Sequence, residues 1–358
     1  MHTTKLNSPR IVSLDIIRGI ALLGMLIIHA TVGTQGQNPP VYSLDFDLSI
    51  FNHLFINIKF VSIYSFLFGL GSQIFFARTQ QRGLRSYHLL ARRLITLIPI
   101  GVIPVLISPE ITPILIMYSV LGLILLPCFK LQPRVILIIT GILASCNMIL
   151  VLGTMVFRNP LSKNFSVAFL PIHYIIYYIL VIVTMFLLGL YIGKINLFQH
   201  LSQQTNLIKR IHKISFIFSL PLVVGGLWMI YINPDIDENM PFQGLSFLTS
   251  YPLSIFYLSS IILLYNKNHS LYIYKPLSYI GRISLTAYIG HAFLLKLLIL
   301  LLGWTQGYTI VQSWVLVCMV FMILMIFSFI WIRKFQQGPF EKIWRILTYG
   351  ISHGRKQE

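Results

Sequence analysis

The sequence predicts an all-α membrane protein of about ten transmembrane helices with a C-terminal amphipathic interfacial helix, and three observations predict it. Hydrophobic residues make up 56% of the 358 positions and charged residues only 10%, with a mean hydropathy of +0.79, outside the balance of a soluble domain. The apolar runs extend over the whole chain with no long polar block between them, so a single polytopic domain is expected over residues 1–358. The cations, which give a formal charge of +18, sit in short connections between those runs. That placement fits loops facing anionic lipid rather than a nucleic-acid footprint, so membrane lipids are expected partners and nucleic acid is not.

A spanning helix takes roughly 20 mostly apolar residues. The first candidate covers approximately residues 12–32. Lys5 and Arg10 ahead of it mimic a signal peptide, but Asp15 and Arg18 interrupt its start and no small-residue cleavage site follows. The others are approximately 50–77, 90–108, 112–129, 134–157, 171–193, 211–232, 246–265, 276–302 and 309–333. Pro99, Pro104, Pro109 and Pro113 crowd the boundary between the third and fourth, which leaves a broken or re-entrant pair open there. In the second run Gly69 and Gly71 suit close helix packing, and no phosphate-loop pattern follows them. Cys128, Cys146 and Cys318 lie inside apolar runs without metal-site or disulfide spacing, so no metal site is expected. The tail GPFEKIWRILTYG places Phe340, Ile343, Trp344 and Leu347 at helical spacing opposite Glu341, Lys342 and Arg345. An interfacial helix over 339–350 is expected, lying on the membrane or packed against the inner mouth of the bundle.

Loop charge tests the topology independently. With the N-terminus inside, inner connections collect 21 of the 27 basic residues, while outer ones hold only Arg158 and Lys163. The outer connections also hold the acids Asp45, Asp47, Glu110, Asp235, Asp237 and Glu238. An even helix count with both termini cytoplasmic follows.

Arg18, Lys59, Arg282 and Lys296 fall within the apolar runs, where each costs a few kcal/mol near the bilayer centre and should face protein, water or substrate. His29 follows Arg18 by eleven residues. At about 100° per residue this returns to one helix face about 20° past three turns, roughly 16 Å away. Asp15 joins that stripe at i−3; it could serve simply as a local partner of Arg18 at the headgroups. Lys59, near the outer end of its run, could snorkel outward. In GRISLTAYIGHAF, Ser284, Tyr288 and His291 form a stripe at i, i+4 and i+7, with Arg282 toward the cytoplasmic end. Interhelical hydrogen bonding would also account for such a stripe and for His29. The topology places His29, His291, His53 and Lys59 in the outer half and Arg18 and Arg282 toward the cytoplasm. Imidazole can serve as a base for a hydroxyl or amine, and arginine can hold an anionic group such as a donor phosphate.

SLDIIRGIALLGMLI (13–27), KFVSIYSFLFGLG (59–71), MFLLGLYIGKINLF (185–198), GRISLTAY (281–288) and WIRKFQQGPFEKIWRILTYG (331–350) resemble, in order and over nearly the whole chain, the YeiB-like bacterial membrane proteins (domain of unknown function 418). That family is described as multi-pass inner or plasma membrane protein and has been associated with transport. It is distantly similar to transmembrane acyltransferases, among which polysaccharide-modifying members carry an Arg, ten intervening residues and a His in the first helix. Arg18 and His29 meet that spacing, and the resemblance implies that Arg18 helps bind an acyl donor and His29 takes part in transfer.

The expected function is therefore acyl transfer from a cytoplasmic acyl-CoA-type co-substrate, with no bound cofactor, to an envelope sugar or lipid-linked acceptor. His29, His291 and Tyr288 are the candidate catalytic residues; Arg18, Asp15, Arg282 and Lys59 are the candidate donor-binding residues. A transporter or exporter, with Asp15, Lys59 and the histidines as a substrate or proton path, is the alternative.

Overall fold

The computed structural model describes residues 11–34, 39–157, 170–199, 201, 203–232, 241–268, 272 and 274–350. Lys5, Arg10, Arg355 and Lys356, which are among the 21 inner cations, and Arg158, Lys163, Asp235, Asp237 and Glu238 of the outer connections lie outside the described residues. The helices are α1 (Val12–Ala30), α2 (Leu44–Phe51), α3 (Lys59–Gln81), α4 (Ser86–Ile107), α5 (Ile114–Ile124), α6 (Pro133–Phe157) and α7 (Leu170–Lys194), followed by α8 (Thr205–Ile232), α9 (Pro241–Leu248), α10 (Ser250–Lys267), α11 (Tyr274–Arg282), α12 (Ser284–Leu301), α13 (Ile310–Lys334) and α14 (Pro339–Tyr349). No strand occurs among the described residues.

Among the described residues, eight helical stretches are long and apolar enough to cross a bilayer: Val12–Thr34, Leu44–Gln81, Ser86–Ile107, Pro133–Met155, His173–Lys194, Thr205–Ile232, Ser284–Leu301 and Ile310–Lys334. The chain is thus an all-α membrane protein. Its outer surface carries Ile138, Ile142 and Ile149 on α6, Phe216, Ile217 and Phe218 on α8, and Ile326 and Ile330 on α13, whereas Ser62, Ser65, Ser254 and His291 are fully buried. Lipid demands that distribution, because every polar group must find its partner inside the bundle. Two expected spans take another form. Residues 112–129 hold α5, only 11 residues long or about 17 Å, ended by a 3-10 turn at Leu126–Lys130. Residues 246–265 fall on α9 and α10, which meet at Thr249, and α10 carries Ser250, Tyr251, Ser254, Tyr257, Ser259 and Ser260 among its apolar residues.

Small residues set the closest packing. A side chain on Gly69 would strike the Phe186 carbonyl, and one on Gly189 the Phe66 carbonyl, so α3 and α7 run in backbone contact. Gly19 lies against the Leu277 carbonyl and Gly281 against that of Asp15, which seats α11 on the first half of α1. α1 is consequently enclosed, with Ile16, Ile17, Leu22 and Leu26 fully buried.

The second expected span is broken rather than continuous. A π-helical turn at Asn52–Ile56 follows α2, and Ile58 adopts φ 61°, a left-handed conformation that a β-branched residue rarely takes. Breaking a helix at this depth frees backbone carbonyls, and Lys59 answers them. Its ammonium, fully buried, donates to the carbonyls of His53 at 2.7 Å and Ser246 at 3.3 Å. Ser246 Oγ also donates to the His53 carbonyl at 2.6 Å, and Ser254 Oγ to that of Lys59 at 3.0 Å. Truncating Lys59 to alanine therefore leaves both a void and under-satisfied carbonyls, a loss of about 2–5 kcal/mol. The midpoint of thermal unfolding in detergent should fall by several degrees, and an unchanged midpoint would contradict this structural role.

Charges segregate between the two ends of the bundle. At one end Lys194 donates to the Phe129 carbonyl at 2.8 Å, Arg92 to the Leu347 carbonyl at 2.8 Å, and Lys130 lies over the Tyr87 ring. At the other, Asp45 accepts from the backbone of Val311 at 2.8 Å and Asp47 from the Tyr231 hydroxyl at 2.7 Å.

Candidate active site between the first and twelfth helices

Helix α1 places Asp15, Arg18 and His29 on one stripe, as the spacing requires. Helix α12 carries Tyr288 and His291 one turn apart, and both helices lie in one cluster with Leu22, Leu26, Ala287 and Leu295. This packing brings His29 Nδ1 within 2.7 Å of His291 Nε2 across 262 positions of sequence. The rings lie nearly parallel, 17° apart with centroids 4.9 Å apart. Tyr288 stands edge-on to both, 5.8 Å from His29 and 5.0 Å from His291. His29 and Tyr288 are each 4% exposed and His291 is fully buried.

Each neutral imidazole has one donor and one acceptor, so one ring must donate across this contact and the other accept. His29 Nε2, His291 Nδ1 and the Tyr288 hydroxyl, all buried, have no hydrogen-bond partner. Buried polar atoms are nearly always satisfied, and orphans gathered in one place call for a functional explanation. The Tyr64 hydroxyl of α3 is a fourth, within the electrostatic field of Tyr288, Arg18 and Glu341. Tyr118 of α5, by contrast, donates to the Val61 carbonyl at 2.8 Å.

Toward the basic end, Arg18 pairs with Asp15 at 3.3 Å while a third of its side chain stays exposed. A Cβ added to Gly71 would come within 3.7 Å of its Nη2, so this glycine turns toward the guanidinium while Gly69 serves packing. Arg282, at the end of α11, reaches the Gln336 carbonyl at 3.5 Å, close to where α14 begins. Lys59 is not part of this group and holds the helix break described above. The predicted residues thus divide into a histidine–tyrosine cluster, a cationic mouth formed by Arg18 with Asp15 and by Arg282, and one structural lysine.

Residues that sequence reasoning did not select complete the surroundings. Tyr64 carried no signal among the aromatic residues of its run. Glu341 was legible only as part of the polar face of the tail. In the structure it accepts from the backbone of Leu285 at 2.7 Å and Thr286 at 3.2 Å, and from the Thr286 hydroxyl. Burial pushes its carboxyl above the ordinary glutamate range, and the bonds from Thr286 and the two backbone amides pull it back only in part. Arg93 of α4 is sandwiched between the rings of Phe75 at 4.5 Å and Trp344 at 4.2 Å.

The profile of the family described as "Protein of unknown function (DUF418)" matches residues 192–351, a stretch that includes Tyr288, His291 and Glu341. The "Uncharacterized 39.9 kDa protein in amylase 3'region" of Bacillus acidopullulyticus is 30% identical over 356 residues, covering 95% of this chain and 94% of its own length. The chain belongs to the DUF418 family. A second similar protein, "Uncharacterized protein YxaH" of Bacillus subtilis (strain 168), is 25% identical over 397 aligned positions, covering 96% of this chain and 95% of its own. Both similarities cover nearly the whole of the DUF418 protein, far beyond the residues 192–351 that the family profile matches.

Proposed function

We propose that this DUF418 protein is an acyltransferase of the bacterial inner (plasma) membrane. It takes an acyl group from an acyl-CoA-type thioester entering at the basic, cytoplasmic end and passes it to a hydroxyl or amine of an envelope sugar or lipid-linked acceptor. The observation that carries this reading is the His29–His291 hydrogen bond, which leaves His29 Nε2 buried and unpartnered beside the Tyr288 hydroxyl. In this reading His29 Nδ1 donates to His291 Nε2, so that His29 Nε2 keeps its lone pair; His291 sets tautomer and ring orientation.

The acceptor's oxygen or nitrogen attacks the thioester carbonyl while its proton passes to His29 Nε2, forming the new carbon–oxygen or carbon–nitrogen bond. Tyr288 donates to the oxyanion as charge develops. Collapse of the intermediate breaks the carbon–sulfur bond, and the thiolate leaves with the proton returned from His29. Arg18, oriented by Asp15, and Arg282 at the same end are the cations that meet donor phosphates. The distance along α1 from Arg18 to His29, roughly 16 Å, separates the anionic end of the donor from its reacting end.

Comparing the envelopes of cells lacking this protein, complemented by wild type or by the His29→Ala variant, tests the reading. Ester- or amide-linked acyl groups should be restored by the first and not by the second. Equal restoration by both would remove it.

A transporter is the second reading, favoured by the broken helix at Asn57–Ile58 with a buried cation on its carbonyls, since discontinuous helices line solute sites in secondary transporters. Gradient-driven uptake into proteoliposomes without acyl chemistry would establish it instead.

A further inference from the structure

The most distinctive stretch of the tail, GPFEKIWRILTYG, has no part in the chemistry proposed above. α14 lies against α4 and α12 at the basic end of the bundle, and four contacts besides the Arg92–Leu347 hydrogen bond fix it there. The Trp344 indole donates to the Arg93 carbonyl at 2.9 Å, and the Arg93 guanidinium stacks on the same indole. Tyr349 meets the ring of Phe75 on α3, with centroids 5.9 Å apart. The fourth contact is reciprocal. Glu341 takes the free backbone N–H groups of Leu285 and Thr286 in the first turn of α12, and the Thr286 hydroxyl, itself donating to Glu341, accepts from the backbone of Phe340 at 3.2 Å in the first turn of α14.

This contact accounts for a break that the sequence does not announce. Residues 276–302 read as one helix, yet α11 stops at Arg282, Ile283 leaves helical geometry at φ −111° and ψ 35°, and α12 begins at Ser284 without a side-chain cap of its own. The first amides of a helix need acceptors, and a carboxylate is the favoured one at that end. Glu341, 55 positions downstream of Thr286, supplies it. Tyr288 follows two residues after Thr286 and His291 one turn later. Where α12 starts therefore sets the height and rotation at which both side chains meet His29. Gly338 is small by necessity, because a side chain there would run into the Glu341 carboxylate and the Thr286 hydroxyl.

We propose that the C-terminal helix is part of the candidate active site and that Glu341 is a positioning residue, holding the start of α12 so that His291 meets His29 and Tyr288 stands beside both. The catalytic meaning of this role rests on the acyl-transfer reading, but the placement itself does not. Removing the carboxylate releases two amides and a hydroxyl, lets α11 and α12 join or slide, and displaces His291. A misplacement of about 1 Å at a reacting group can cost about 10²-fold in rate.

The test uses the full-length protein in nanodiscs with isotope-labelled histidine, comparing wild type, Glu341→Ala and Glu341→Gln. Nitrogen signals of the bonded His29–His291 pair, assigned with single histidine variants, should revert to those of separate imidazoles in Glu341→Ala. Glu341→Gln, which still offers an oxygen to both amides, should keep the bonded signals. If Glu341→Ala does not accumulate, Glu341→Asp takes its place, since it keeps the charge but withdraws the carboxylate by one methylene. Wild-type histidine signals in the alanine variant, or in the aspartate variant that replaces it, overturn the proposal. With an acyl donor, the same loss should appear as a fall in kcat of about 10²-fold with KM for the donor little changed, rescued by glutamine. If wild type transfers no acyl group, the acyl-transfer reading fails while the histidine spectra still decide the positioning role.

Discussion

Replacing His29 with alanine should lower acyl transfer by about 10²–10⁴-fold, the range that a positioned general base contributes, while the protein still accumulates in the membrane. The expectation follows from geometry rather than from residue type alone. His29 Nδ1 is taken by His291 while its Nε2 is buried without a hydrogen-bond partner. His291 Nδ1 is unpartnered too, but it carries the proton in the tautomer that accepts at Nε2, so the free lone pair is that of His29. His29→Asn sharpens the test. Its amide can still donate toward His291 and so preserve the packing of α1 on α12, but it supplies no lone pair of suitable basicity. The asparagine variant should therefore unfold at nearly the wild-type temperature and be as inactive as the alanine variant. Activity close to wild type in the asparagine variant, measured on folded protein, would show that no base acts from this position. Tyr288→Phe, which removes only the hydroxyl, is the companion for the oxyanion and should cost about 10²-fold.

Replacing Gly189 with alanine should lower the stability of the folded protein markedly. The new Cβ would run into the Phe66 carbonyl, with the Leu70 nitrogen at 2.8 Å and the Phe66 carbonyl carbon at 2.9 Å. All three are backbone atoms of α3, so no side chain can rotate away and α3 and α7 must separate along their length. Overpacking of this kind costs about 1–3 kcal/mol or more, and in lipid no hydrophobic gain offsets it, because the helices are held by close contact. Gly141→Ala is the control, as nothing lies within 4 Å of its added Cβ. A lowered unfolding midpoint for the first and an unchanged one for the second is the expected result; equal midpoints would mean that the α3–α7 contact does not limit stability.

What the sequence revealed and what it withheld follow from the kind of information that helical periodicity carries. Apolar runs reveal where helices lie, and the eleven-residue spacing from Arg18 to His29 reveals that they share a face. Neither reveals which helix that face meets. His29 and His291 are 262 positions apart, and within a bilayer the lipid is as apolar as the core, so hydrophobicity does not mark the inner face of a helix as it does in water. The breaks were hidden for a related reason. Ile58 and Ile283 sit in apolar runs with no proline or glycine at the break itself. What stabilises the breaks is Lys59 on the carbonyls of His53 and Ser246 in one case, and Glu341 on the amides of Leu285 and Thr286 in the other. Lys59 looked like an intramembrane cation available to a ligand because its charge is visible in the sequence and its backbone partners are not. Tyr64 shows the limit from the other side, since its unpartnered hydroxyl becomes notable only once the fold brings it within the electrostatic field of Tyr288, Arg18 and Glu341.

The most direct test of the central claim is transfer by the purified protein in proteoliposomes given acyl-CoA labelled in its acyl group, together with a lipid-linked or soluble sugar acceptor. The proposal predicts that label leaves the thioester and appears on acceptor in ester or amide linkage, with free CoA released in equal amount, and that His29→Asn abolishes both. Label that stays on CoA in the presence of wild-type protein and acceptor, or that moves equally with His29→Asn, would contradict it.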